Sequence, residues 1–473
     1  MQLPNRFITI LGHGVFLVLL VLATIFYKER LAYSDMALYI YQIIETKSTL
    51  IAHGRFIDII PQFFVVIAVK NCFALKWVLL IYSWSLVLFP YIIFIYCWHI
   101  LRSQVFSIVI LMVSIGFYTH AFYACSSELQ LGMQASVLLW ATLYERKRLS
   151  NLSILEIAVV FGVIPFIVFS HPLALFPSVF AVVFFFLNRA QIGFENKFFY
   201  ALVLLLALAF VFKIQFMPAE VYEANAGKLA LENLRQNWYK AFTVATTRYM
   251  FKYFFSCYYL LPLLPVCFSY YYIKNKNWIK LLFVLGTTWG LFSLIQVSNP
   301  NEVQLGYIEN FYAIIAFCLA LPLAIDYLPN LKIPKMWVMA ILTTVCMLRI
   351  TNIALAHRIY TERINWITAI LHKHQYDDHA RFMVNLADVP EVFAKKMLNW
   401  GISYESLLLS ALEAPARAAT IYTDSDPHRL DWAMDKYGTI ILQFDVVQHT
   451  DLNQNYFKVP YGRYMILKGE AVK

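Results

Sequence analysis

The side chains best placed to do chemistry lie in one polar stretch, Leu31 to Gln62 (LAYSDMALYIYQIIETKSTLIAHGRFIDIIPQ), between the first long apolar run and the rest of the hydrophobic sequence. Asp35 stands about eight residues past that first run, and His53-Gly54-Arg55 lead into another apolar segment. A carboxylate at the edge of a lipid layer is poorly solvated, which raises its pKa and makes it a better base toward a hydroxyl or amine. An arginine offers a planar fork that grips a phosphate at two points. A plainer reading of Ser34-Asp35 stays open beside this one. A serine opening an apolar-periodic helix is a common N-cap, and an acid in the first turn is favoured by the helix dipole.

Other polar groups fall in short breaks between apolar runs. The turn Tyr118 to Gln130 (YTHAFYACSSELQ) carries His120 and Glu128, and Ser170-His171-Pro172 puts a histidine at a helix end. Val297 to Glu309 supplies Asn299, Glu302 and Glu309. Between Met217 and Lys252 the stretch EANAGKLALENLRQNWYKAF spaces Leu229, Leu231, Leu234, Trp238 and Phe242 among Lys228, Arg235, Lys240 and, further on, Arg248. That pattern suits a helix lying in a headgroup layer. Arg349 and Asn352 sit inside the last apolar run, where they are costly unless they face protein or an aqueous cavity, or snorkel. The seven cysteines lie in or beside apolar runs, with no CxxC pair and none after residue 346. Buried thiols are expected, with no disulfide framework and no metal.

The elements that must position these groups are set by composition. Of 473 residues 61% are hydrophobic and 14% charged, and mean hydropathy is +0.62. A soluble globular chain is excluded, and a polytopic α-helical membrane protein is expected. The formal charge of +10 then reports topology and anionic headgroups, so membrane lipid is an expected partner and nucleic acid is not. A crossing helix needs about 20 apolar residues. Runs approaching this occur at roughly 7–27, 77–98, 104–123, 129–144, 153–170, 172–187, 198–216, 254–273, 281–297, 308–327 and 336–355, which makes about eleven spans. The run 56–69 is short and holds Asp58, Pro61 and Gln62. If it lies along the interface, the basic turns, including Arg146-Lys147-Arg148, fall on the side of Arg6, as the positive-inside rule asks.

This gives a multi-pass protein of the inner (cytoplasmic) membrane with its N-terminus in the cytoplasm. The first span is retained, because no small-residue cleavage site precedes Tyr27. The transmembrane domain is expected over 1–356, with outward loops at 28–76 and 217–253. From His357 the composition becomes mixed, with helical stretches (AHRIYTERINWITAILHKHQ, YESLLLSALEA) and strand-like runs (AATIYT, GTIILQF, GRYMILK). A small extracytoplasmic α+β domain is expected over 357–473.

A single N-terminal span, an outward loop with an acid near its start (YSDMALY), a GRF segment feeding an apolar helix, about eleven spans and an outer C-terminal domain together resemble the GT-C superfamily of integral-membrane glycosyltransferases. The SD…HGRF portion is similar to its bacterial, polyprenyl-phosphate-sugar-dependent members. The resemblance covers the architecture of roughly residues 1–355. It implies transfer of a sugar from a polyprenyl-phosphate donor to a glycan, lipid or protein acceptor on the outer face of the membrane, with no further cofactor. It also implies Asp35 as general base, with basic residues of the outward loops on the phosphate. Arg55, His53, His171 and Arg248 are the candidates for that binding. Many members have two adjacent acids where this chain has Asp35-Met36, so a paired-carboxylate or metal centre is not expected. Glu128, in the next outward turn, is the candidate second acid, or a plain interfacial acid. The rivals are a transporter or flippase of a lipid-linked saccharide, which calls for charged groups at mid-membrane, and a non-catalytic membrane subunit whose C-terminal domain binds a partner.

Overall fold

A computed structural model describes residues 3–125, 128–216, 221–374 and 379–467. The chain is mostly helical. α1 (Asn5–Ile25) is followed by α2 (Tyr27–Leu31), α3 (Ser34–Thr46), α4 (Ile59–Lys70), α5 (Leu75–Ile95), α6 (Gln104–Ile115) and α7 (Glu128–Arg146). Next come α8 (Ile154–Val168), α9 (Leu175–Ile192), α10 (Asn196–Phe216), α11 (Val221–Asn237), α12 (Ala245–Phe251), α13 (Leu260–Lys274) and α14 (Trp278–Ser298). α15 (Leu305–Pro322), the short α16 (Leu328–Asn330) and α17 (Lys335–His374) complete the bundle. Among the described residues, seven helices are long and apolar enough to cross a membrane: those of α1, α5, α9, α10, α14, α15 and α17. α6 and α8 are shorter apolar helices, and α7 and α13 lie on the runs expected at 129–144 and 254–273 without meeting that combination of length and hydropathy.

α15 is the core of this bundle. Tyr312 to Leu321 are all buried, as a helix apolar on every side must be when its neighbours surround it. Past Pro322 the helix widens into a π-turn over Leu323–Tyr327. α10 and α17 keep much of their apolar surface outward, which places them at the lipid-facing rim. α4 spans 12 residues, about 18 Å at 1.5 Å per residue, too short to cross a bilayer. It doubles back at Asn71 to Ala74 and packs on α5.

α17 is one continuous helix of 40 residues, so the composition change at His357 is not a break in the chain. No glycine or proline occurs between Lys335 and His374, and nothing in the sequence stops the helix there. Beyond it come β1 (Arg381–Asn385), α18 (Glu391–Lys396), α19 (Ile402–Ala411), β2 (Thr420–Asp424), α20 (Asp431–Met434), β3 (Thr439–Ile441), β4 (Val446–Gln448) and β5 (Met465–Leu467). The sheet order is β2-β1-β5, all parallel, with Arg381 opposite Thr420 and Phe382 opposite Met465. A separate antiparallel pair joins β3 to β4. The three expected strand runs are present in shortened form, and β1 and β4 are additional.

α19 joins this small unit to the bundle. All ten of its residues are buried, between β2, α3 and α17. Its serines replace solvent for neighbouring backbone: Ser410 Oγ accepts from Ala419 N–H at 2.8 Å, and Ser406 Oγ accepts from Ile421 N–H at 2.8 Å.

Candidate functional site

Asp35 lies in the first turn of α3. The helix is not capped by Ser34, which enters it at φ 44° with its hydroxyl buried and unpartnered among the described residues. The C-terminal unit holds this turn instead. The Ser34 N–H donates to Glu405 Oε1 at 3.0 Å. Glu405 is in turn gripped by Arg363, from Nε to Oε2 at 2.7 Å and from Nη2 to Oε1 at 2.9 Å. Arg363 also donates to Asn399 Oδ1 at 2.7 Å and Leu398 O at 2.9 Å, and the Leu398 N–H donates to the Tyr33 hydroxyl at 3.0 Å. The approach is close enough that a Cβ on Gly401 would meet Ser34 Cα at 2.7 Å, so the entry to α19 needs glycine.

Beside Asp35 is a small polar cavity of about 20 Å³, lined among others by Ser34, Gln304, Asn310, Tyr360 and Lys396. Ser34 Oγ, Gln304 Oε1 and Asn310 Oδ1 are buried with no hydrogen-bond partner among the described residues. Buried polar atoms are rarely left so in a folded chain. Three at one cavity, next to a carboxylate and a lysine, mark a place built to receive polar groups.

On the other side of α3 is a dense cluster of charge. Glu128, buried at the start of α7, accepts from the Tyr39 hydroxyl at Oε1 (2.9 Å) and from Arg55 Nη1 at Oε2 (2.9 Å). Asp58 is hydrogen-bonded to Glu128, and its carboxyl is pushed well above the usual range, first by burial and then by the Glu128 charge, against the pull of Arg55. Tyr39, one turn along α3 from Asp35, feels all three acids.

A basic group adjoins this cluster. Burial holds His171 well below the usual histidine range, and Arg55, Lys213 and His53 reinforce the shift. His171 is thus a neutral ring, and its Nδ1 accepts the Leu173 N–H at 3.1 Å, capping the turn before α9. It brings no fixed charge to the cluster. Lys213 is a neighbouring cation; its Nζ donates to Val168 O at 2.8 Å and lies 5.8 Å from the centre of the Phe169 ring. His53 occupies the turn Ala52–Gly54 at φ 53°. Arg248 is exposed on α12, and among the described residues no hydrogen bond or ion pair joins it to this cluster. Positions 217–220, which open the expected outward loop before α11, lie outside the described residues.

The turn 116–125, which forms one wall of the site, is pinned from below. Glu309 accepts from the Thr119 and Ala121 N–H groups at 2.8 and 2.7 Å and from the Tyr258 hydroxyl. Arg349, wholly buried in α17, donates from Nε to Ile115 O at 2.9 Å and from its Nη atoms to Cys257 O and Thr119 Oγ1. It faces protein and does not snorkel. His120 is pushed down to about 4 by burial and by Arg349, so it too is neutral.

The structure thus brings Asp35, Glu128, Arg55, His53 and His171 into one region, to which Arg248 is joined by no hydrogen bond or ion pair among the described residues. It adds Asp58, Tyr39, Lys213, Gln304, Asn310 and Lys396, and behind them Arg363 and Glu405. Of these, Asp58 carries a local signal as an acid in an apolar run, and Lys213 carries the same kind of signal within the run 198–216. Among the described residues no group of three or more His, Cys, Asp or Glu is placed to hold a metal ion. No family model, curated protein or solved structure matches this chain.

Proposed function

We propose that the chain is a GT-C-like glycosyltransferase of about eleven membrane spans, working at the outer face of a bacterial cytoplasmic membrane on a polyprenyl-phosphate-linked sugar. The observation that carries this reading is the pairing of Asp35 with a cavity of unpartnered polar groups on one flank and a basic cluster on the other. Only the attacking hydroxyl or amine of the acceptor reaches into the cavity, which at about 20 Å³ has room for little more than one water, and there Ser34, Gln304, Asn310 and Lys396 surround it. Asp35 takes the proton of the attacking hydroxyl or amine as the new bond to the anomeric carbon forms. The bond from that carbon to the phosphate oxygen breaks on the opposite side, and its electron pair leaves with the polyprenyl phosphate. Arg55 and Lys213 stabilise the charge developing there. A single base activating the acceptor gives inversion, with no covalent sugar on the enzyme.

His171 takes part as a neutral capping group, and Arg248 has no part in the phosphate site. The Glu128 carboxylate keeps Arg55 in place through the 2.9 Å contact from Nη1. The test is release of polyprenyl phosphate in proteoliposomes supplied with a panel of polyprenyl-phosphate hexoses. The wild type turns over at least one of them and Asp35→Asn none. Turnover by Asp35→Asn at the wild-type rate, or no turnover of any donor by the wild type, contradicts the reading.

A further inference from the structure

A further buried cation borders the 116–125 turn, whose Tyr118, Phe122 and Cys125 line the same cavity as it does. Arg30, in α2, is 1% exposed. Its Nη2 makes only a long 3.4 Å contact with Ser83 O, its guanidinium lies 3.9 Å from the centre of the Phe122 ring, and Nε and Nη1 have no hydrogen-bond partner among the described residues. It borders a cavity of about 30 Å³ whose polar lining, among the described residues, is Arg30, Ser114, Tyr118, Gln130 and Gln134, with no carboxylate. Ser114 Oγ and Gln134 Oε1 are also buried without partners there. One water needs roughly 10–15 Å³ on this scale, so the space takes a group larger than a single water.

An arginine does not give up its proton, and an isolated charge in such surroundings is among the costliest things a fold can bury. Other deeply buried cations of the bundle have an answer: Arg349 three oxygens, Arg363 the Glu405 carboxylate, Lys280 the Asp326 carboxylate. Arg30 has no such answer among the described residues, and it is accompanied by a hydroxyl aimed at the same space. Waters would hydrogen-bond these groups but would not neutralise the charge. The cavity wall formed by α1 and α5 carries outward apolar side chains, Leu17, Val21, Leu88 and Ile92, so a lipid bears on its outer surface.

We propose that the Arg30 cavity is a binding site for a phosphate-class oxyanion, held by the guanidinium and the Ser114 hydroxyl, whose source is a phospholipid headgroup or free phosphate. This site is separate from the Asp35 cavity, and neither assignment needs the other. The experiment uses the purified full chain. In one arm inorganic phosphate is titrated into detergent-solubilised protein; in the other the protein is placed in nanodiscs of phosphatidylcholine alone or with phosphatidylglycerol. Thermal unfolding is followed in both. A saturable rise of the wild-type midpoint with phosphate, weakened about tenfold or more in Arg30→Met, identifies a free-phosphate site. A rise only with phosphatidylglycerol, absent in Arg30→Met, identifies a headgroup site. Equal responses of wild type and Arg30→Met, or no response of the wild type in either arm, overturns the proposal. Should Arg30→Met not fold, Ser114→Ala serves: it keeps the arginine and is expected to respond more weakly than the wild type in whichever arm is positive. An undiminished response in Ser114→Ala then overturns the proposal.

Discussion

The two ends of α15 handle buried charge in opposite ways. At one end, Lys280 Nζ meets Asp326 at 3.2 Å and Asn188 Oδ1 at 2.6 Å, the Tyr272 hydroxyl donates to Asp326 Oδ2 at 2.8 Å, and Asn188 Nδ2 donates to Phe184 O at 3.0 Å. Each of these polar groups has its partner, and the cluster ties α9, α13, α14 and the π-turn after α15 together. At the other end, roughly 25 Å away at 1.5 Å per residue, the buried Asp58 carboxyl is set against Glu128, three polar atoms have no partner among the described residues, and the helix bearing Asp35 starts at an unfavourable backbone angle. A closed network adds rigidity. An open one costs stability, which a chain retains where it binds or reacts. On the proposed function, the Asp326 end is structural and the Asp35 end carries the chemistry.

The comparison is broken most severely by a change at Asp35. Asp35→Asn is expected to lower turnover by about 10²–10⁴-fold, the usual worth of a general base, with the unfolding midpoint unchanged. A matching loss of stability would make Asp35 a structural acid. Glu405→Gln removes half of a buried ion pair, which costs about 3–5 kcal/mol, and weakens the acceptor that holds the Ser34 N–H. The double variant Arg363→Met/Glu405→Leu should regain most of the stability, since no lone charge remains, while turnover stays low. Recovery of both would mean that α19 only braces the bundle.

At the closed end, Lys280→Met should cost a similar amount of stability and leave turnover per folded molecule unchanged. A drop in turnover there would erase the distinction between the two ends. Glu45 offers a finer test of how the C-terminal unit is held. Both of its carboxyl oxygens accept the Asn453 N–H, at 3.1 and 2.9 Å, yet burial raises its pKa from 4.5 to about 7. The folded state therefore binds this proton more tightly than the unfolded chain. The stability it contributes is complete below about pH 4.5 and is lost as pH rises through about 7. Glu45→Gln should flatten that part of the stability profile, read by thermal unfolding across the window. The smallest change is Ser34→Gly, which relieves the positive φ and is expected to stabilise by at most about 1 kcal/mol. If Ser34 binds the acceptor, this gain comes with weaker acceptor binding, seen as a higher KM.

The apolar runs were legible because length and hydropathy act locally, and the same holds for the short α4, where Asp58 and Pro61 interrupt the run. Asp35 and Glu128 stood out as acids at the ends of such runs. The distant residues that complete them could not be read. Ser34 and Glu405 are 371 positions apart and Tyr39 and Glu128 are 89 apart, and no spacing rule links such pairs. Ser34-Asp35 reads as an N-cap because serine favours that role, but the hold of Glu405 on the Ser34 N–H replaces the cap. The composition change at His357 suggested a domain edge, yet helix-forming residues run on without interruption to His374, and α19 beyond it is buried against α3 and α17. Asp326 was not singled out in the sequence, and its partners Tyr272 and Lys280 lie on other helices.

The most direct test is a density map of the protein in lipid nanodiscs with a polyprenyl phosphate added. The phosphate is expected beside Arg55 and Lys213, on the side of α3 that carries Tyr39, with the Asp35 carboxylate facing it across the acceptor cavity. A map with no lipid phosphate near these groups, or with Asp35 turned away and the cavity closed over by side chains, would contradict the assignment.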